Sequence, residues 1–252
     1  MKPTPLFTNI ETGAATYDET NKATYKGITI KTLILFALTV AAAVAASSVL
    51  HIFFQSEENF TTLIILIIVA LIVSVISAIV GRISYTLAKV FGMIYSLSMG
   101  FLLGTITALV EIVVHGIGIA AVFATLIIFA IMLLLFFTGI VKKGRVLRAA
   151  LIGVLLGILS LSLFTVILVL SPVNLEVNDY LYLLLAIEGL YLLYAVIMLC
   201  FNFLEAEAVV KGGAVKNAEW SVALGLMTTL AYIYIELLRI LLIIASIVGN
   251  RN

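Results

Sequence analysis

The chain has 252 residues, 64% of them hydrophobic and 11% charged, with a mean hydropathy of +1.30 and a formal net charge of +1. Soluble domains are roughly 45–50% apolar and about 25% charged, so no water-soluble fold could hide this much apolar surface and the composition specifies an integral membrane protein. A net charge this small also leaves no bulk electrostatic case for nucleic acid as a partner.

Residues 1–31 are polar and Thr-rich, with no apolar core, and are expected to form a cytoplasmic N-terminal tail. They match neither a cleaved signal peptide nor a mitochondrial presequence, since they lack arginine and contain Glu11, Asp18 and Glu19. Seven apolar runs follow, at about 32–54, 61–80, 88–110, 117–140, 148–171, 180–204 and 220–248. Each reaches the roughly 20 residues needed to cross the hydrocarbon as a helix. Backbone polar groups cannot go unsatisfied in lipid, so helices are required, and the alternating strands of about 10 residues that build a barrel are absent. The expected fold is an all-α membrane protein, with residues 32–248 forming one seven-helix transmembrane domain.

Lysine and arginine set the orientation. The tail carries Lys2, Lys22, Lys26 and Lys31; the second connection has Arg82 and Lys89; the fourth has Lys142, Lys143, Arg145 and Arg148; the sixth has Lys211 and Lys216. The first, third and fifth connections contain neither residue, and hold Glu57, Glu58, Glu111, Glu176 and Asp179. The alternation at every crossing supports seven spans, with the N-terminus cytoplasmic and the C-terminus on the opposite side. His51 and His115 then fall on that opposite side.

Helices in lipid gain little from burying apolar surface, so close packing relies on small residues. In the third span Gly92, Ser96, Gly100, Gly104 and Ala108 recur every four residues. This smooth stripe reads as a helix–helix contact and places the third helix inside the bundle. Gly153 and Gly157 in the fifth span repeat the spacing. Cys200, the single cysteine, lies in an apolar run and reads as a small buried hydrophobe. Tyr180, Tyr182, Tyr191 and Trp220 stand at or near span ends, as interfacial anchors do.

Charges within a span are costly and face the bundle interior. Three stand out: Glu188 in span six, with Glu236 and Arg239 in span seven. At 1.5 Å per residue, Arg239 lies about 13 Å and Glu236 about 18 Å from the outer end of helix seven, and Glu188 lies about 12 Å from the outer end of helix six. Because the two helices run antiparallel, Arg239 and Glu188 share a depth. Two readings stay open: Arg239 neutralises the glutamates and the cluster pins helices together, or one carboxylate is left incompletely compensated and can hold a proton or a cation. Carboxylate oxygens suit a hard cation such as Ca²⁺.

Enzymatic signatures are absent from the sequence. Helix seven has no lysine for a Schiff base, and two histidines without His-Glu-x-x-His argue against an intramembrane zinc site. There is no Gly-x-Ser-x-Gly elbow and no Walker loop. The expectation is a non-enzymatic protein without a resident cofactor.

The segment "NAEWSVALGLMTTLAYIYIELLRILLIIA" (217–245) is similar to the terminal helix of the Bax inhibitor-1 family, in particular its bacterial branch, through Glu219-Trp220, Gly225-Leu226 and Ile233-Tyr234-Ile235-Glu236-Leu237-Leu238-Arg239. More weakly, "YSLSMGFLLGTIT" (95–107) and "ATYKGITIKT" (23–32) resemble its third-helix and pre-first-helix segments. The resemblance implies a calcium-permeable leak channel that opens with pH, in a bacterial-type inner membrane. A carboxylate near the end of helix six and one in helix seven would hold it closed. Glu236 falls on the helix-seven position. The helix-six position reads Cys200-Phe201-Asn202-Phe203-Leu204-Glu205, where the family carries aspartates, and Met99 replaces the helix-three glutamate. Glu205 or Glu188 is left as the partner of Glu236. The alternative of another class is a non-transporting protein that binds other membrane proteins.

Overall fold

The computed structural model describes residues 22–53, 57–137, 145–170 and 177–249. The first 21 residues of the expected tail, together with Lys142, Lys143 and Glu176, lie outside them. Among the described residues the chain is all-helical: α1 (Tyr25–Phe53), α2 (Glu57–Ile83), α3 (Ala88–Val113), α4 (Ile117–Phe137), α5 (Arg145–Leu170), α6 (Val177–Lys211) and α7 (Ala218–Gly249). An isolated bridge outside the helices pairs Lys22 with Val215. Among the described residues, six of these helices are long and apolar enough to cross a membrane.

Outward-facing surfaces are aliphatic. In α2, Ile65, Ile68, Leu71, Ile72, Val75 and Ile79 are all exposed. Contiguous apolar exposure of this extent is foreign to a soluble monomer, whereas in lipid it has no cost. The chain is a multi-pass membrane protein.

The hub of the bundle is α7, which packs against α1, α2, α3, α4 and α6. One of its faces sends Val222, Leu226, Ile233 and Leu237 into a core shared with Ala195, Leu199, Cys200 and Phe203 of α6. Another face sends Ala223, Leu224 and Met227 against Leu35 and Tyr95. Among the described residues helix α5 touches only α6.

Helix α3 packs against α1, α2, α4 and α7, an interior position as its small-residue stripe suggests. Its small residues turn toward α1, its most extensive neighbour, while Val90, Leu97, Ile112 and Val113 face outward. A Cβ on Gly104 would stand 2.2 Å from the Ala43 carbonyl oxygen, and one on Gly100 2.4 Å from that of Thr39. Only glycine lets the two backbones approach this closely. The glycines of α5 show no such constraint: nothing lies within 4 Å of a Cβ on Gly153, and Gly157 meets only Leu190 at 3.5 Å.

Residues 25–31, expected in the tail, are instead the first two turns of α1. Two contacts hold this end down. Ala23 N donates to Ala214 O at 2.8 Å, in the turn after α6 where Gly213 adopts a left-handed φ of 65°. Glu219, in the first turn of α7, accepts from Thr24 N at 2.8 Å and lies 2.6 Å from Lys31 Nζ.

Candidate functional site

Three of the buried polar side chains, Asn202, Thr229 and Glu236, lie along the seam between α6 and α7. On α6, Glu188, Tyr191, Ala195, Leu199 and Asn202 recur at intervals of three and four, so they share one face. On α7, Gly225, Thr229, Tyr232, Glu236 and Arg239 do the same. The helices run antiparallel in a constant register. Glu188 meets Arg239, and fourteen residues further along α6, Asn202 meets Gly225, fourteen residues earlier on α7. Two polar clusters result, one toward each end of the seam.

The first cluster contains Glu188, Glu236 and Arg239. Arg239 Nη1 lies 3.7 Å from Glu188 Oε2 and 3.8 Å from Glu236 Oε1. Both distances exceed hydrogen-bonding range, so one guanidinium is shared loosely by two carboxylates. Glu236 is 1% exposed and Glu188 14%, whereas Arg239 is 54% exposed. Glu188 Oε2 and Glu236 Oε2 have no hydrogen-bond partner among the described residues. Tyr232 is an electrostatic neighbour of Glu236 and packs edge-on against Tyr194, with ring centroids 6.4 Å apart.

The second cluster is built around Asn202. Its Nδ2 donates to Gly225 O at 3.1 Å and to Thr229 Oγ1 at 2.5 Å. Arg82, from the end of α2, reaches in to pair with Glu205 at 3.0 Å and to donate to Asn202 Oδ1 at 3.5 Å. A Cβ on Gly225 would fall 1.6 Å from Arg82 Nη1, so glycine there is what admits the guanidinium to the seam. Glu207, one step behind, pairs with Lys211 on its own helix.

Between the clusters the seam is apolar. Leu199 and Ile233, both fully buried, belong to one packed core with Ala195 and Cys200. The two polar clusters are thus separated by packed apolar side chains.

The sequence left the helix-six partner of Glu236 open. The structure brings Glu188 to Glu236 and Arg239, and places Glu205 and Asn202 with Arg82 at the other end of the seam. Of the small residues singled out in α3, Gly92, Gly100 and Gly104 face α1, and Ser96 is fully buried with its hydroxyl unpaired among the described residues. Arg82 was missed as a site residue, because it follows an apolar run and counts there only toward orientation. The spacing of Gly225 from the Glu-Trp pair gave no hint that an arginine on another helix would occupy the gap. No group of three or more His, Cys, Asp or Glu side chains forms among the described residues.

No curated protein and no solved structure matches the chain. A family model described as Bax inhibitor 1 like matches residues 4–246, nearly the whole length. With that match added to the α7 residues that form the seam, the chain belongs to the Bax inhibitor 1 like family.

Proposed function

We propose that this protein is a seven-span, Bax-inhibitor-like cation leak channel or transporter, with Ca²⁺ as its cargo and pH as its control, in a bacterial-type inner membrane with the N-terminus cytoplasmic. The observation that carries the reading is the fully buried Glu236, whose Oε2 has no hydrogen-bond partner among the described residues and whose only nearby cation is shared with Glu188. A buried carboxylate without full compensation is poised to take up a proton or a cation. Ionised, Glu188 and Glu236 together hold Arg239 against the seam. Protonation of either weakens that hold and frees α7 to shift against α6. Two carboxylates fall short of the 6–8 oxygens that a tightly held Ca²⁺ takes, which suits a passing ion better than a stored one. Leu199 and Ile233 then form the closed gate.

The test is Ca²⁺ flux into liposomes carrying the purified protein. Wild-type flux should change between about pH 5 and pH 8. Glu236→Gln, which mimics the protonated acid, should remove that dependence. Flux indifferent to both pH and Glu236→Gln would overturn the reading.

One feature favours a second reading, a membrane protein that binds other membrane proteins without transport. Arg239 is 54% exposed on a span, and an exposed arginine at that depth is costly unless something faces it. Absence of flux, with a defined membrane partner whose copurification is lost in Arg239→Leu, would establish that reading.

A further inference from the structure

A second feature of the bundle lies away from the α6–α7 seam. Helices α1, α3, α4 and α7 enclose an open-sided cavity of about 680 Å³. That falls within the roughly 300–1,000 Å³ typical of pockets that enclose a small molecule. Along α1 the cavity runs from Phe36 to Ser47, about 16 Å at 1.5 Å per residue. This equals the depth of one leaflet in a hydrocarbon core of about 30 Å. Its deep end is closed by Phe36, Met227 and Leu230, and its mouth is marked by Ser47, Glu111 and His115.

The chemistry of the walls selects the occupant. Polar atoms along the shaft are already committed to the protein. Thr39 Oγ1 donates to Leu35 O at 2.9 Å, Thr125 Oγ1 donates to Ala121 O at 2.8 Å, and the Thr107 and Tyr234 hydroxyls bond each other at 2.6 Å. The hydroxyl hydrogens of the shaft are thus spent within the protein, which leaves only a few hydroxyl lone pairs on an otherwise apolar wall, a poor site for water or a polar ligand. At the mouth, Glu111 accepts from Gly116 N and Gly118 N, so its carboxylate caps the start of α4. His115 beside it is exposed. The flanking Val40, Val44, Ile112 and Ile119 are exposed as well, so the cavity opens sideways onto the surface that lipid covers.

We infer that this cavity holds one acyl chain of a membrane phospholipid, tail end against Met227 and Leu230 and headgroup outside the mouth by His115. Recognition rests on length, width and dryness, so the headgroup is selected weakly.

The experiment uses the purified protein in phosphatidylcholine vesicles doped with one of two photoactivatable probes. One is a phosphatidylcholine with a diazirine at the end of its palmitoyl chain, and the other is free palmitic acid with the same diazirine. After illumination, adducts are mapped by mass spectrometry. The phospholipid probe should place adducts on Met227, Leu230 and Thr39 at severalfold higher yield than on the exposed residues of α2. Ala108→Phe, which fills the shaft, should abolish the deep adducts and leave those on α2 unchanged. If that variant does not fold, Val40→Trp at the open rim serves the same purpose. Adducts spread evenly over α2 and α5, or deep adducts that persist when the shaft is filled, would overturn the site. Labelling by the free fatty acid alone would overturn its assignment to a phospholipid.

Discussion

Glu219 and Glu236 are both about 1% exposed on the same helix, yet their surroundings differ completely. Glu219 is the better compensated: Thr24 N and Thr24 Oγ1 donate to its Oε1, and Lys31 Nζ stands 2.6 Å from its Oε2, although that oxygen, like Glu236 Oε2, accepts no hydrogen bond among the described residues. Lys31 is held further by the Lys216 carbonyl at 3.0 Å and by the face of Trp220, 5.1 Å from the ring centroid. Such a carboxylate is structural. Glu219→Ala would strand the Thr24 amide and should cost about 1–3 kcal/mol. Lys31, at 13% exposed, can swing toward water and so escapes the larger penalty of a trapped charge. Glu219→Gln keeps an acceptor for Thr24 and should cost less. Thermal midpoints in detergent, read beside the rate of protease cleavage at residues 22–31, would separate the two. Equal losses for Ala and Gln would mean that the charge, and not the acceptor, fastens the start of α1. Glu236 has Tyr232 beside it but only a distant cation, Arg239 at 3.8 Å, which it shares with Glu188, and that contrast is why function is assigned to it and not to Glu219.

Among the elements, spacing alone proved an uneven guide. The glycine repeats of α3 and α5 look alike in sequence, because small residues one turn apart say that a backbone can approach and not which one does. In α3 the approach is real, with Ala43 and Thr39 of α1 against Gly104 and Gly100; in α5 the face of Gly153 is open. Gly104→Val should therefore force α1 and α3 apart and cost about 1–3 kcal/mol or more, while Gly153→Val should stay within about 0.5 kcal/mol. Matched thermal melts of the two variants give the comparison, and similar losses would refute the assignment of α3, but not α5, as the packed helix. The α6–α7 register was more legible. Counting depth along two antiparallel spans set Glu188 level with Arg239, since helical rise is fixed and charges are few in these apolar runs. The position of Arg82 was not legible, because it depends on where α2 ends relative to Gly225, a contact between residues 143 positions apart. The start of α1 at Tyr25 was hidden for a related reason: its polar first turns are stabilised by Glu219 and the α6–α7 turn, both distant in sequence.

For the whole molecule, the basic residues that suggested an orientation also converge in space. Lys22 pairs with Val215, Lys31 with Glu219, and Arg82 with Glu205, while Lys89 lies over Trp220 at 6.0 Å. One end of the bundle thus gathers lysines and arginines from α1, α2, α3 and the α6–α7 turn. His115 and Glu111 stand at the other end, at the mouth of the apolar cavity. A cluster of this kind stays on the cytoplasmic side during insertion, so the N-terminus should face the cytoplasm. Cys200, the only cysteine, is buried, which gives a low background for labelling intact cells with a membrane-impermeant maleimide. His115→Cys should react in intact cells. Lys216→Cys should react only after permeabilisation, because helices α4, α5 and α6 separate the two positions and an odd number of crossings puts them on opposite sides. Reversed labelling would turn the molecule over and move the cavity to the inner leaflet. Labelling of both positions from the same side would mean that one of the helices α4, α5 and α6 does not cross. The alternation of charge would then have one crossing too many, and a channel through the seam would need a different architecture.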